Sequence, residues 1–179
     1  MPKGLPLKYN SDETVWYSAP ASPYSPENFP SMSCVVSKYS TGKLYVGSLK
    51  DSYNEELLKE AEIKTIIRVY GFPQELKTYP GITYINIPIE DCPDANIQDY
   101  FDKTFLEIDE SLNSQKNVLI HCSRGISRAP TVAAAYLIRK LRIPSNMAID
   151  MIDAKRHNID INLGFLLTLE DYAKHTFSE

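Results

Sequence analysis

The sequence predicts an α/β fold: a single-domain sandwich with a central, mainly parallel sheet flanked by helices. Three observations predict it. Short β-branched or apolar runs alternate with segments of helical periodicity through the middle of the chain. The last third reads as helix after helix. The run Val118-Leu119-Ile120 is wholly apolar, as a strand buried on both faces must be. A chain of 179 residues has room for one hydrophobic core and little for a second.

The first thirty residues hold six of the twelve prolines together with Tyr9, Trp16, Tyr17 and Tyr24. Proline removes backbone donors and favours extended chain, so residues 1–32 read as an irregular proline/tyrosine-rich arm and 33–179 as the folded domain. Ser22-Pro23 and Ser25-Pro26 are candidates for proline-directed phosphorylation. Cys34-Val35-Val36 and Leu44-Tyr45-Val46 read as short strands around the turn Ser40-Thr41-Gly42. Residues 53–61, rich in Glu, Leu, Lys and Ala, predict a helix. The run from Thr65 to Tyr70 predicts a strand ended by Gly71, and residues 83–89 another, closed by a proline. A helix over 97–112 aligns Ile97, Tyr100, Phe101, Phe105 and Ile108. The strand at 118–120 follows, then helices over 127–142, 145–156 and 164–175. The last gathers Phe165, Leu166, Leu169, Tyr172 and Ala173 on one face.

Composition narrows the function classes. The chain is 43% apolar and 23% charged, ordinary for a soluble globular protein, and its net charge of −4 argues against nucleic acid as a partner. No apolar run approaches the ~20 residues that span a bilayer. The first residues show neither a hydrophobic signal core nor a glycine at position 2, and the last show no cysteine for prenylation. The expectation is a monomer without a membrane anchor, cytoplasmic and also nuclear. Cys34, Cys92 and Cys122 are too few and too scattered for a disulfide framework, and with His121, His157 and His175 they form no metal-ligand pattern, so neither metal nor other cofactor is expected.

The stretch His121-Cys122-Ser123-Arg124-Gly125-Ile126-Ser127-Arg128-Ala129-Pro130 runs from the buried strand into an apolar helix. Ligands of open α/β sheets bind at the carboxyl ends of strands. Backbone N–H groups converging on a helix N-terminus make a site for a doubly charged anion, and Gly125 lets the loop curl tightly. Ser123, Arg124, Gly125, Ile126, Ser127 and Arg128 are the expected phosphate-binding residues, with Arg128 offering a planar fork to two oxygens. Ser127 is the expected N-cap, with Pro130 in the first helical turn. The same field stabilises a thiolate at Cys122, placed for in-line attack on phosphorus. A departing alkoxide or phenolate then needs a proton, for which Asp91 and Asp94 in Glu90-Asp91-Cys92-Pro93-Asp94 are candidates.

Histidine-cysteine, five residues, then arginine, with glycine third after the cysteine, resembles the signature of the cysteine-based protein-tyrosine phosphatases. The resemblance covers roughly 34–175. Leu44-Tyr45-Val46-Gly47-Ser48 is similar to that family's opening strand, and Ile87-Pro88-Ile89-Glu90-Asp91 to the approach to its general-acid loop. Gly125-Ile126-Ser127-Arg128 with Ala135-Tyr136-Leu137-Ile138 resembles the dual-specificity branch, and Asn162-Leu163-Gly164-Phe165 the start of its last helix. The resemblance implies a protein-tyrosine-phosphatase-like fold, Cys122 as nucleophile, Arg128 as phosphate clamp and Asp91 as general acid. It also implies a shallow pocket open to phosphotyrosine and to phosphoserine or phosphothreonine of protein substrates. Ala129 departs from it: the branch usually has a hydroxyl there, thought to help the thiolate leave, and the Ala129-Pro130 pair instead resembles the phosphatases of regenerating liver. Ile161 and Thr168 stand where proline and glutamine are common.

Several readings stay open at this level. Arg124 either faces solvent at the pocket rim, favouring acidic or polyanionic substrates, or pairs with a carboxylate. His121 is expected to bond to backbone beside the thiolate, and Cys92 is a candidate for an oxidative cross-link to Cys122. Hydrolysis of a phosphoinositide or an RNA 5′ end is the rival activity. A slow phosphatase that captures phosphoproteins is the rival class, resting on Ala129.

Overall fold

The computed structural model describes residues 31–38, 41–71 and 76–178. Most of the predicted arm, with its tyrosines and Ser-Pro pairs, and Ser40 of the predicted turn lie outside the described residues. Among the described residues, five strands form one sheet: β1 (Ser33–Val36), β2 (Leu44–Gly47), β3 (Ile63–Val69), β4 (Thr83–Ile87) and β5 (Asn117–His121), in the spatial order β1-β2-β5-β3-β4. Strands β2, β5, β3 and β4 run parallel, and β1 pairs antiparallel at the edge, as a mainly parallel sheet requires. The last strand in sequence is therefore the middle one in space, and its carboxyl end opens between the connections that leave β2 and β3.

Side chains alternate across the sheet, and its two faces are covered unequally. Val46, Ile67, Val69, Val118 and Ile120 face the larger core, which is closed by α3 (Phe101–Asn113), α4 (Arg128–Leu141), α5 (Ser145–Asp153) and α6 (Leu163–Ser178). Ile66 and Leu119 face a smaller cluster with Leu58, Ile63 and Tyr79 on the side of α2 (Glu55–Glu60). Every residue of α4 from Arg128 to Ile138 is buried. The run Ala133-Ala134-Ala135 keeps that helix slim enough to sit between the sheet and its neighbours. Tyr136 and Lys140 of α4 both bond Asp109 of α3, at 3.1 and 2.6 Å, which fixes their relative rotation.

Two predicted helices differ in detail. The helix predicted over 53–61 is α2, shortened to 55–60, and a separate short helix that was not predicted, α1 (Leu49–Ser52), precedes it, each with its own cap. Ser48 and Asp51 form a reciprocal capping box, and the Asn54 side chain accepts from Leu57 N–H at 3.1 Å. The helix predicted from 97 opens as a 3-10 turn over Ile97–Tyr100, since Asn96 makes no side-chain cap, and becomes α-helical only at Phe101. Among the described residues, no helix is long and apolar enough to cross a membrane.

Candidate active site

β5 delivers His121 and then Cys122 to the carboxyl edge of the sheet, and α4 begins at Arg128, so the loop between them closes in five residues. It can do so because Gly125 adopts φ +72°. A Cβ there would also stand 2.4 Å from the Gly47 carbonyl oxygen and 2.6 Å from an Arg156 nitrogen. Glycine is demanded twice, by conformation and by space.

The loop is held by its carbonyl oxygens. Ser123 O accepts from Leu49 N–H at 3.0 Å, Ile126 O from Asp160 N–H at 2.8 Å, and Ser127 O from Thr131 N–H and hydroxyl at 3.0 and 2.8 Å. Arg156 takes the two between: its Nε donates to Gly125 O at 2.7 Å and its Nη2 to Arg124 O at 3.2 Å. In a trans peptide the N–H points opposite to the C=O. With five consecutive carbonyls drawn outward, the N–H groups of residues 124–128 turn to the concave side, where Gly125 N–H donates to Cys122 Sγ at 3.2 Å. The result is a nest of donors around a buried sulfur, suited to an anion. Arg156 is 1% exposed. Burial lowers its pKa, while the nearby Asp51 and Cys122 side chains oppose that.

Arg128 is buried beside this nest. Its Nη1 donates to the Ile89 carbonyl at 3.0 Å, its guanidinium lies 5.5 Å from the Tyr70 ring centroid, and its Nε has no hydrogen-bond partner among the described residues. One edge of the fork thus ties the loop to the segment preceding Asp91. Arg124 is exposed and makes no ion pair among the described residues, so of its two readings the structure displays the solvent-facing one. Ser123 is exposed, while Gly125, Ile126 and Ser127 are buried.

Ser127 does not cap α4 as the sequence suggested. It lies at φ −127°, ψ −73° and makes no cap bond, because its hydroxyl is engaged elsewhere. It donates to Asp91 Oδ1 at 2.8 Å and accepts from Asn162 N–H at 3.1 Å. Asn162 Nδ2 donates to the same Asp91 oxygen at 2.8 Å, while Asn162 Oδ1 accepts from Phe165 N–H at 2.9 Å at the start of α6. Both donors go to Oδ1, and Oδ2 makes no hydrogen bond among the described residues. Asp94 is exposed and has no side-chain hydrogen bond among the described residues. The segment that follows Asp91 also packs tightly on α6: a Cβ on Gly164 would stand 2.0 Å from the Pro93 carbonyl oxygen.

His121 is fully buried, with Nδ1 3.2 Å from the Cys122 carbonyl oxygen. Burial pushes its pKa down to about 4, and the charges of Arg68 and Arg128 push the same way, so the imidazole is neutral near pH 7. Ala129 is fully buried and brings no hydroxyl. Cys34, Cys92 and Cys122 are free thiols.

The structure gathers Cys122, the 123–128 loop, Arg128 and Asp91 into one cluster, and adds Arg156 and Asn162. Asn162 could have been found in the Asn162-Leu163-Gly164-Phe165 motif. Arg156 has no local signal, since the cationic pair Lys155-Arg156 after a helix reads as surface.

Residues 44–175 match the family model described as dual specificity phosphatase, catalytic domain. Human dual specificity protein phosphatase 6 is 37% identical over 132 residues, covering 73% of this chain and 35% of that protein. Dual specificity protein phosphatase 1B of Arabidopsis thaliana is 30% identical over 132 residues, covering 73% and 78%. The chain thus spans about a third of the length of the first relative and over three quarters of the second. The crystal structure of a mouse putative dual specificity phosphatase superposes with a TM-score of 0.74 at 23% identity, covering 90% of this chain and 94% of that one, which shows a shared fold.

Proposed function

We infer, because this chain belongs to the dual specificity phosphatase catalytic-domain family, that it hydrolyses phosphotyrosine and phosphoserine or phosphothreonine in proteins through a phosphocysteine intermediate. The observation that supports this reading most is the engagement of five successive loop carbonyls by partners outside the loop, with Gly125 N–H donating to the Cys122 sulfur.

In this reading the phosphate oxygens occupy the nest, with the donors of Arg128 not spent on Ile89 completing the shell. The Cys122 thiolate attacks phosphorus in line, forming the S–P bond as the P–O bond to the substrate breaks. Asp91 passes its proton to the departing oxygen and becomes a carboxylate. Water then attacks phosphorus, giving a proton back to Asp91, and the thiolate departs as inorganic phosphate is released. Arg124, solvent-facing beside the nest, favours acidic residues next to the phosphorylated one.

The test is a panel of aryl phosphate, phosphopeptides, phosphoinositides and RNA 5′ ends with wild type, Cys122→Ser, Asp91→Asn and Asp94→Asn. Wild type should turn over aryl phosphate and phosphopeptides, and Cys122→Ser neither. Asp91→Asn should cost roughly 10²–10⁴ in turnover. A larger defect in Asp94→Asn would move the acid by three residues. Preferential turnover of lipid or RNA ends would replace the protein substrate.

A further inference from the structure

Two buried nitrogens on neighbouring strands lack hydrogen-bond partners among the described residues: Nε2 of His121 on β5 and Nε of Arg68 on β3. The sheet register pairs these two residues directly. Alternation along β5 puts His121 on the same face as Leu119, and alternation along β3 puts Arg68 on the same face as Ile66. Leu119 and Ile66 both belong to the small cluster on the α2 side. The imidazole and the guanidinium stem therefore rise side by side, on strands ~4.8 Å apart.

Their chemistry is complementary. The neutral imidazole of His121 has one N–H and one lone pair. Its Nδ1 faces the Cys122 carbonyl, which can only accept, so the proton belongs on Nδ1 and the lone pair on Nε2. The Nε–H of arginine can only donate. The rest of the Arg68 side chain is already fixed: its guanidinium lies 4.0 Å from the Tyr84 ring centroid, and Nη2 donates to the Lys77 carbonyl. A guanidinium held this way gives up little further freedom in making one more bond. The charges acting on His121 are those of Arg68 from β3 and Arg128 from α4.

We propose that Arg68 is a positioning residue of the active site: its Nε–H is linked to His121 Nε2 through one bridging water, which accepts from the guanidinium and donates to the imidazole, and so locks the ring in the tautomer that holds the Cys122 carbonyl. Arg68 thereby acts on the loop from beneath, through His121, while Arg156 acts on it from outside. Its effect on turnover rests on the phosphatase reading above, but the hydrogen bond itself does not.

Long-range ¹H–¹⁵N correlation of the histidine rings in the full chain tests it. Wild type should show His121 protonated on Nδ1, with an Nε2 shift characteristic of an accepted hydrogen bond. In Arg68→Met that shift should move to the unbonded range or split into two tautomers, and kcat for an aryl phosphate should fall about tenfold with KM little changed, as expected for lost alignment. An Nε2-protonated His121 in wild type overturns the proposal. So does an unchanged His121 spectrum in folded Arg68→Met, which would leave Arg68 as packing for Tyr84 alone. If the methionine variant does not fold, the wild-type tautomer and Nε2 shift still decide. A wild type inert toward aryl phosphate would count against the phosphatase reading, while the ring spectrum would still decide the hydrogen bond.

Discussion

Replacing Arg156 by methionine keeps the aliphatic stem and removes the charge and every donor. The wild-type side chain reaches two carbonyls of the phosphate loop, at 2.7 and 3.2 Å, and two oxygens at the start of the described chain, Ser31 O at 3.3 Å and Ser33 Oγ at 3.4 Å. A hydrogen bond from a charged donor contributes about 1.5–3 kcal/mol, so the loop bonds alone represent about 3–6 kcal/mol. Against this stands the desolvation of a buried guanidinium, which the variant escapes and whose presence shows in the depressed Arg156 pKa. Asp51 loses its cation but keeps the Ser48 backbone N–H at 2.7 Å and hydroxyl at 2.8 Å. The net loss should be about 2–4 kcal/mol, or a Tm lower by about 6–12 °C for a chain of this size. Function should suffer more than stability, because the 124–125 and 125–126 peptide planes are freed to rotate their N–H groups away from the bound anion. Thermal unfolding, urea titration and inhibition by inorganic vanadate are the assays, with vanadate expected to weaken about tenfold or more. Arg156→Met within 1 kcal/mol of wild type and within about threefold in vanadate affinity would refute the idea that this arginine shapes the nest.

Three further predictions follow from the same geometry. Because Ala129 has no hydroxyl and that of Ser127 is committed to Asp91, breakdown of the phosphocysteine should limit turnover; rapid mixing with an aryl phosphate should show a burst near one equivalent, and Ala129→Ser should speed the steady state by about ten- to a hundredfold. No burst and no gain would show that the intermediate breaks down freely. Gly164→Ala must push the acid loop off α6, since its Cβ meets the Pro93 backbone; turnover of substrates with poor leaving groups should fall at least about tenfold while good leaving groups are little affected, and equal losses for both would place the damage elsewhere. The folded-state pKa of His121 lies near 4, below its ordinary 6.5, so its contribution to stability is complete above pH 6.5 and is lost as pH falls toward 4. Between pH 7 and 4.5 wild type should lose about 2 kcal/mol more than His121→Asn in urea titrations, and parallel losses would contradict the burial argument.

The strand–loop–helix path of 121–130 was legible because it depends on near neighbours. A buried strand, a glycine that lets the loop curl and an arginine six residues after a cysteine specify a turn with few geometries open to it. Strand and helix order was legible for the same reason, since periodicity of two or 3.6 is a local property. Residues whose role lies in distant partners were not. Ser127 read as a cap because serine before a helix usually bonds the next turn; its hydroxyl instead meets Asp91 and Asn162, 36 and 35 residues away in sequence. Asp91 and Asp94 were both candidates, with Asp91 favoured by the resemblance; both are exposed, and only the folded chain shows that Ser127 and Asn162 donate to the first while the second has no side-chain hydrogen bond among the described residues. Arg156 and Arg68 carry no periodic signal, and a cation belongs on the surface unless the fold supplies acceptors for it. Here it does: the loop's own carbonyls for Arg156, and the Tyr84 ring and Lys77 carbonyl for Arg68. The sequence by itself placed a cysteine, a glycine and an arginine in one short turn between a buried strand and a helix. Tertiary structure decided what holds them in place, because hydrogen bonds between segments far apart in the chain form only once the core has closed.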